Sequence, residues 1–356
     1  MRIFSFYLPQ YHEIPENNEW WGKGFTEWTN VKKAKPLFKG HVQPLHPLNN
    51  NYYNLMEKST VEWQTWLMKD YGLTGMIYYH YYFCGKKLLE KPAENLLRWK
   101  DIEQPFFFCW ANHSWRKTWN GTSELLVEQT YGNEKDWEAH FQYLLPFFQD
   151  KRYEKINDKP VFMFFDPKFS SKEEIVRYFD KRCKDYGFKG IFIINGAINT
   201  KYLKEIDSDV EEIWYLKEPS TSISIFYDNL KSIPYSIINR MMKKISSKHL
   251  FKYNGDKLLK DRTGYKIDFQ YIPGVFFGWD NTSRHGSRGD VVFSPSKETF
   301  MKYMDSIKDS EYVFINAWNE WCEGMILEPT EENGYKYLEW IKEWTDKNDK
   351  LDHKPD

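Results

Sequence analysis

Glu320 and Glu323 stand three residues apart in the run FINAWNEWCEG, with Trp318, Asn319, Trp321 and Cys322 around them. An apolar, strand-like stretch ends just before them. On a strand, side chains three apart face opposite ways. If the chain turns into a helical bend after Trp318, the same spacing brings the two Cβ atoms to roughly 5–6 Å. Two carboxyls that close suit a glycosidic centre that retains configuration, where separations of about 5–5.5 Å are typical. Trp318 and Trp321 would exclude water and push one carboxyl up in pKa, leaving one acid and one base. The plainer alternative is a solvated charge pair at a strand end.

Such a pair needs a scaffold that aims it. Eight short runs read as strands: Ile3–Leu8, Gly75–Tyr82, Pro105–Trp110, Pro160–Phe165, Gly190–Asn195, Glu212–Leu216, Gly274–Gly278 and Tyr312–Trp318. Most are continuously apolar rather than alternating, as in strands covered on both faces of a parallel sheet. Helical patterns lie between them. Ser59 with Glu62, and Ser171 with Glu174, have capping-box spacing at two helix starts. DWEAHFQYLLPFF and NGYKYLEWIKEW are two more helices. Strands alternating with helices predict an α/β fold, a (β/α)8 TIM barrel with long βα-loop insertions. The alternative, an open doubly wound sheet, lacks its usual marks, since no strand leads into G-x-G-x-x-G or a P-loop. One catalytic domain is expected over 1–345, followed by a charged tail at 346–356. Two connections are long: Tyr11–Lys58 after the first strand, and an insertion at 217–271 before the seventh.

In such a barrel the chemistry sits where strands end. The first strand and its connection offer Tyr7, Gln10, Tyr11 and Trp21, and the second strand His80 and Tyr81. The third offers Trp110, Asn112 and Trp115, the seventh Trp279 and Asp280, and the eighth Trp318, Asn319, Glu320, Trp321 and Glu323. Aromatic faces stack on sugar C–H surfaces while amides, imidazoles and carboxylates bind hydroxyls. Aromatics make up 19% of the chain, which either serves such ligands or fills a crowded core.

Composition narrows the partners. A net charge of −1 lacks the basic footprint of a nucleic-acid binder. The four cysteines are too scattered for zinc or a disulfide framework, and the histidines form no H-E-x-x-H pattern, so no metal and no other cofactor is expected. The N-terminal run MRIFSFYLPQYH carries no signal-peptide pattern and no apolar run reaches spanning length, so a cytoplasmic setting is expected. The basic stretch at 238–252 reads as a solvated helical insertion or as a weak peripheral contact with the inner membrane face. Asp207-Ser-Asp209 is D-x-D-like and reads as an exposed turn.

Five stretches, FYLPQYHEIPENNEWWGKGFTEWTNVKKAKPLFKGHVQP, YYHYYFCGKKLLEKP, CWANHSW, GWDNT and FINAWNEWCEGMILEP, carry a family resemblance. From Arg2 to Trp344 the chain resembles the WbsX-type family of bacterial surface-polysaccharide gene clusters, which is similar to the glycoside hydrolase family 99 endo-α-mannosidases. The resemblance implies a (β/α)8 fold, an oligo- or polysaccharide substrate, and both catalytic carboxylates in the W-N-E-W-x-E-G motif. It implies that Glu320 deprotonates the sugar's own 2-hydroxyl. Glu323 is then the general acid that protonates the leaving oxygen and later activates the acceptor, by way of a 1,2-anhydro sugar. Residues 217–271 depart from the family pattern. Two other functions stand beside this one: a nucleotide-sugar-dependent glycosyltransferase of O-antigen or capsule biosynthesis, and a non-catalytic sugar-binding protein.

Overall fold

Phe106–Trp110 is buried at every position, and Gly75–Phe83 at all but one. Strands this apolar need cover on both faces, and a barrel inside a ring of helices supplies it. A computed structural model of the protein describes residues 1–117, 124–197, 203–217, 251–263 and 267–352. Its barrel strands are β1 (Arg2–Tyr7), β2 (Gly75–Phe83), β3 (Phe106–Trp110), β4 (Lys159–Phe164), β5 (Phe192–Ala197), β6 (Glu212–Leu216), β7 (Tyr271–Phe276) and β8 (Tyr312–Asn316). Each pairs in parallel with the next, and β8 returns to β1, Ser5 facing Ile315, so the cylinder closes. The described outer helices are α1 (Lys58–Asp70), α2 (Lys91–Arg98), α3 (Glu134–Phe148), α4 (Lys172–Asp185), α5 (Gly255–Arg262), α6 (Lys297–Ser306) and α7 (Lys336–Asp352).

Aromatic rings fill the barrel interior. Phe4 meets Phe107, Phe107 meets Phe314, Tyr215 meets Phe314, and Phe6 lies against both Tyr215 and Tyr79. Gly75 makes room among them, because a Cβ there would come within 2.6 Å of the Phe4 ring and 2.5 Å of the Pro105 carbonyl. A second aromatic layer lies between strands and helices, with Tyr7 on Tyr78 and Phe108 on Phe147. Much of the aromatic surplus is therefore packing.

The helix starts differ from expectation. Helix α1 begins at Lys58, so Ser59 lies inside it, and Glu62 pairs with Lys58 at 3.3 Å instead of capping. Ser171 does sit at the start of α4, but in a left-handed conformation (φ 62°), and its side chain caps nothing. A capping hydroxyl reaches the first-turn N–H groups from an extended backbone. Helix α3 has the capping box, Asn133 with Asp136.

The long first connection folds into two short helices, Pro15–Trp21 and Glu27–Lys33. Before the seventh strand, Phe251–Asn254 pairs with Asp290–Phe293, which pairs with Trp279–Asp280. Residues 218–250, with most of the basic run, lie outside the described residues. No described helix is long and apolar enough to cross a membrane.

Candidate active site

β8 ends at Asn316, and the chain beyond it makes a compact hairpin. Asn319–Glu320 pairs antiparallel with Met325–Ile326, and Trp321–Glu323 forms a single 3-10 turn between them. The helical bend thus begins at Trp321, two residues later than the simplest expectation. Gly324, at φ 60°, closes it. The turn presents Glu320 and Glu323 to one cavity of about 530 Å³ at the C-terminal mouth of the barrel.

The two carboxyls differ in their surroundings. Glu323 accepts from Arg284 Nη1 at 2.6 Å on one oxygen and from Trp279 Nε1 at 3.0 Å on the other. Glu320 is 7 % exposed, its Oε2 has no hydrogen-bond partner among the described residues, and Arg284 Nη2 stands 3.9 Å away. Burial, reinforced by the Glu323 charge and opposed by Arg284, holds the Glu320 carboxyl well above the usual range. A third carboxylate, Glu27 on the first connection, anchors Arg284 Nη2 at 3.1 Å. Asn17, fully buried at the cavity wall, has neither amide atom hydrogen-bonded among the described residues. Such groups are rare unless a ligand or water serves them.

Of the residues expected in the pocket, Gln10, Trp21, Tyr81, Trp115, Trp279, Glu320 and Glu323 line it. The others are placed elsewhere. Strand side chains alternate, and Phe6 and Tyr79 take the inward positions. Tyr7 and His80 therefore face the helices, where Tyr7 donates to Gln64 and His80 meets His140 at 2.8 Å. The strand register expected for His80 is corrected by one residue. Trp110 also faces outward, its ring edge against His140. Asn112 is turned to the Asp166 backbone, bonding its N–H and carbonyl at 2.9 and 2.7 Å. Asp280 binds His41 Nε2 at 2.7 Å and Gln43 Nε2 at 2.8 Å, tying the first connection to the seventh.

Tyr11, Asn319, Trp318 and Trp321 pack beneath the cavity floor instead of facing the cavity. The Tyr11 hydroxyl donates to the Asn319 carbonyl, and Asn319 Oδ1 accepts from Leu8 N at 2.7 Å. Both indoles point at Glu328. Glu27, Arg284 and Asn17 also line the cavity and have no local signal in the sequence. Tyr79, at the end of the second strand, lines it as well, as an inward Tyr81 requires.

The closed cylinder with its site at the C-terminal mouth defines a (β/α)8 protein. A family profile described as "Glycosyltransferase WbsX" matches residues 3–341, and the chain belongs to that family. The "Uncharacterized protein WxcX" of Xanthomonas campestris pv. campestris (strain B100) is 30% identical over 352 residues, covering 95% of this chain and 48% of that one. The chain therefore spans about half the length of the curated relatives it matches. Among solved structures, the GH99 endo-alpha-mannosidase from Bacteroides thetaiotaomicron aligns with a TM-score of 0.57 at 14% identity, covering 99% of both chains. A "Glycoside hydrolase-like protein" aligns with a TM-score of 0.59 at 12% identity, covering 96% of this chain and 93% of that one. At these identities the likeness is one of fold.

Proposed function

We propose that the chain cleaves or transfers glycosidic bonds of an oligo- or polysaccharide with retention, using Glu320 and Glu323 as its acid/base pair. The observation that carries this reading is that one short turn aims two carboxyls with different surroundings into one aromatic-walled cavity. One carboxylate takes the proton of the sugar's 2-hydroxyl, whose oxygen attacks the anomeric carbon. The other carboxyl gives its proton to the leaving oxygen as that bond breaks. The 1,2-anhydro sugar is then opened by water or by an acceptor hydroxyl, which gives its proton to the second carboxylate while the first returns its proton to the 2-oxygen. The unpartnered Asn17 amide is suited to a sugar hydroxyl, and Trp21, Trp115 and Trp279 to its apolar faces.

The motif's resemblance makes Glu320 the base and Glu323 the acid. Arg284 favours the exchanged roles. It and Trp279 donate to both oxygens of Glu323, an arrangement suited to the anion, whereas burial favours the proton on Glu320. With Glu323 as acid, Arg284 has to release it when substrate enters; the exchanged roles need no such movement. The test is turnover of wild type, Glu320→Gln and Glu323→Gln on glycan substrates, with the anomer of the first product followed by NMR. Inversion at the anomeric centre, or full activity in both variants, would overturn the proposal.

The family description keeps a nucleotide-sugar-dependent transferase as the second reading. Asp207 and Asp209 are exposed just before β6 begins, at the barrel end opposite the cavity. No three His, Cys, Asp or Glu side chains cluster as a metal site among the described residues. The first reading predicts activity that survives EDTA and no calorimetric binding of a UDP- or GDP-sugar with manganese. Binding would favour the second.

A further inference from the structure

Glu328 is 2 % exposed, yet four donors converge on its carboxyl group. Oε1 accepts from Gln64 Nε2 at 2.6 Å and Trp318 Nε1 at 2.9 Å. Oε2 accepts from the Tyr53 hydroxyl and from Trp321 Nε1, both at 2.7 Å. Gln64 belongs to α1, and Tyr53 to the first connection. Trp318 and Trp321 bracket Asn319 and Glu320, and Trp321 opens the turn that ends at Glu323. A single buried carboxyl thus ties the catalytic turn to an outer helix and to the loop that brings Glu27.

The chemistry of the donors makes this anchor specific. A hydroxyl or a carboxamide can turn round and accept, but an indole N–H only donates. Two indoles aimed at the two oxygens of one group need an acceptor on each side, and among side chains of this shape only a carboxylate has that. A buried donor left without an acceptor costs its full desolvation.

We propose that Glu328 is a positioning residue that holds Trp318 and Trp321, and through them sets how Glu320 and Glu323 are presented to the cavity. This rests on the reading of Glu320 and Glu323 as the acting pair. Burial pushes the Glu328 carboxyl up to about 7 against the pull of its four hydrogen bonds.

The test compares wild type with Glu328→Gln, using the indole N–H signals of Trp318 and Trp321, assigned with Trp318→Phe and Trp321→Phe. In the variant the new amide faces one side only. The Tyr53 hydroxyl is able to reverse and accept from the new amide, and Gln64, with the Tyr7 hydroxyl behind it, is able to turn in the same way. Whichever way the amide faces, one of the two indoles loses its acceptor. The expected result is an upfield move of one indole signal of the two, with a displaced carboxyl ¹³C titration of Glu320. On any glycoside that is turned over, kcat falls by about 10²-fold, as a misplaced reacting group does, with KM little changed. Combining Glu328→Gln with Phe at whichever indole is orphaned, Trp321→Phe or Trp318→Phe, removes the orphaned donor, restores folding if the single variant lacks it, and keeps the displaced titration. A Glu320 titration that superimposes on wild type in a folded Glu328 variant would overturn the proposal. The NMR readouts need no substrate, so they stand or fall apart from the functional reading.

Discussion

Arg284 Nη1 lies 2.6 Å from Glu323 Oε1, while its Nη2 lies 3.9 Å from Glu320 Oε2 and 3.1 Å from Glu27 Oε2. One cation is shared by three carboxylates, and most closely by Glu323. A pair of acids this near each other does not ionise twice at low cost. Burial favours the proton on Glu320, and Arg284 opposes it.

This makes a signed prediction for Glu320. Its carboxyl is raised by burial and by the Glu323 charge, and lowered by Arg284. Glu323→Gln removes the raising charge, so the Glu320 titration moves to lower pH. Arg284→Gln removes the lowering charge, so it moves to higher pH. Selective ¹³C labelling of glutamate carboxyls measures both shifts. Shifts of the same sign in the two variants would contradict the shared-cation arrangement.

Gly324 tests how tightly the turn is held. Its φ of 60° is left-handed, and an added Cβ would stand 3.1 Å from Asp280 Cβ and 3.2 Å from Asp280 N. Asp280 has little freedom to retreat, because His41 and Gln43 bind its carboxylate. Gly324→Ala is expected to cost roughly 1–2 kcal/mol in the left-handed backbone. The neighbouring Trp279–Glu323 bond should loosen as well. Chemical denaturation and Trp279 indole NMR read the two effects, and a variant as stable as wild type would show a softer turn than the contacts imply.

The barrel was legible because its strands are apolar on both faces; Glu212–Leu216 was read to the residue. The site was less so, for identifiable reasons. His80 and Tyr81 are adjacent on one strand, so only one of them can face inward, and that one is Tyr81. Trp318 and Trp321 read as platforms for a ligand, but their indoles serve Glu328, whose burial no local pattern announces. Arg284 meets both Glu27 and Glu323 only because the first and seventh connections both fold over the barrel mouth. Nothing in the spacing of residues 27, 284 and 323 signals that meeting.

His80 and His140 face each other at 2.8 Å in a buried layer of aromatic rings. Burial holds His80 down at about 3 and lowers His140 as well. Both are neutral in the fold, and both bind protons once unfolded, near 6.5. The unfolded state therefore takes up more protons as pH falls. The stability is fully present above pH 6.5 and is lost progressively toward pH 3. His80 contributes about 1.4 kcal/mol per pH unit across that window. His80→Gln keeps a hydrogen-bonding partner for His140 and removes that titrating group. Its stability between pH 6 and 4 should fall less steeply than that of wild type by about that amount. Denaturant midpoints across this range measure it, and parallel slopes would refute it.

The glutamates themselves separate the mechanisms. Glu320→Gln and Glu323→Gln are nearly isosteric, so both are expected to fold. If Glu320 activates the 2-hydroxyl, its variant is inactive whatever the leaving group. Without Glu323 as acid, an unactivated sugar loses protonation of its leaving oxygen, typically a ~10²–10⁴-fold effect. An aryl glycoside with an acidic phenol departs without that proton, so its first step is largely spared. If Arg284 instead holds Glu323 as the base, the pattern exchanges: Glu320→Gln is the variant rescued by a good leaving group. A 2-deoxy glycoside is inert to wild type under either assignment, because the internal nucleophile is gone. The measurement is rate against leaving-group pKa for the three proteins. Brisk turnover of the 2-deoxy substrate would exclude participation by the 2-hydroxyl. The pair would then have to act by direct nucleophilic attack, with Glu323, the more exposed of the two, facing the anomeric carbon.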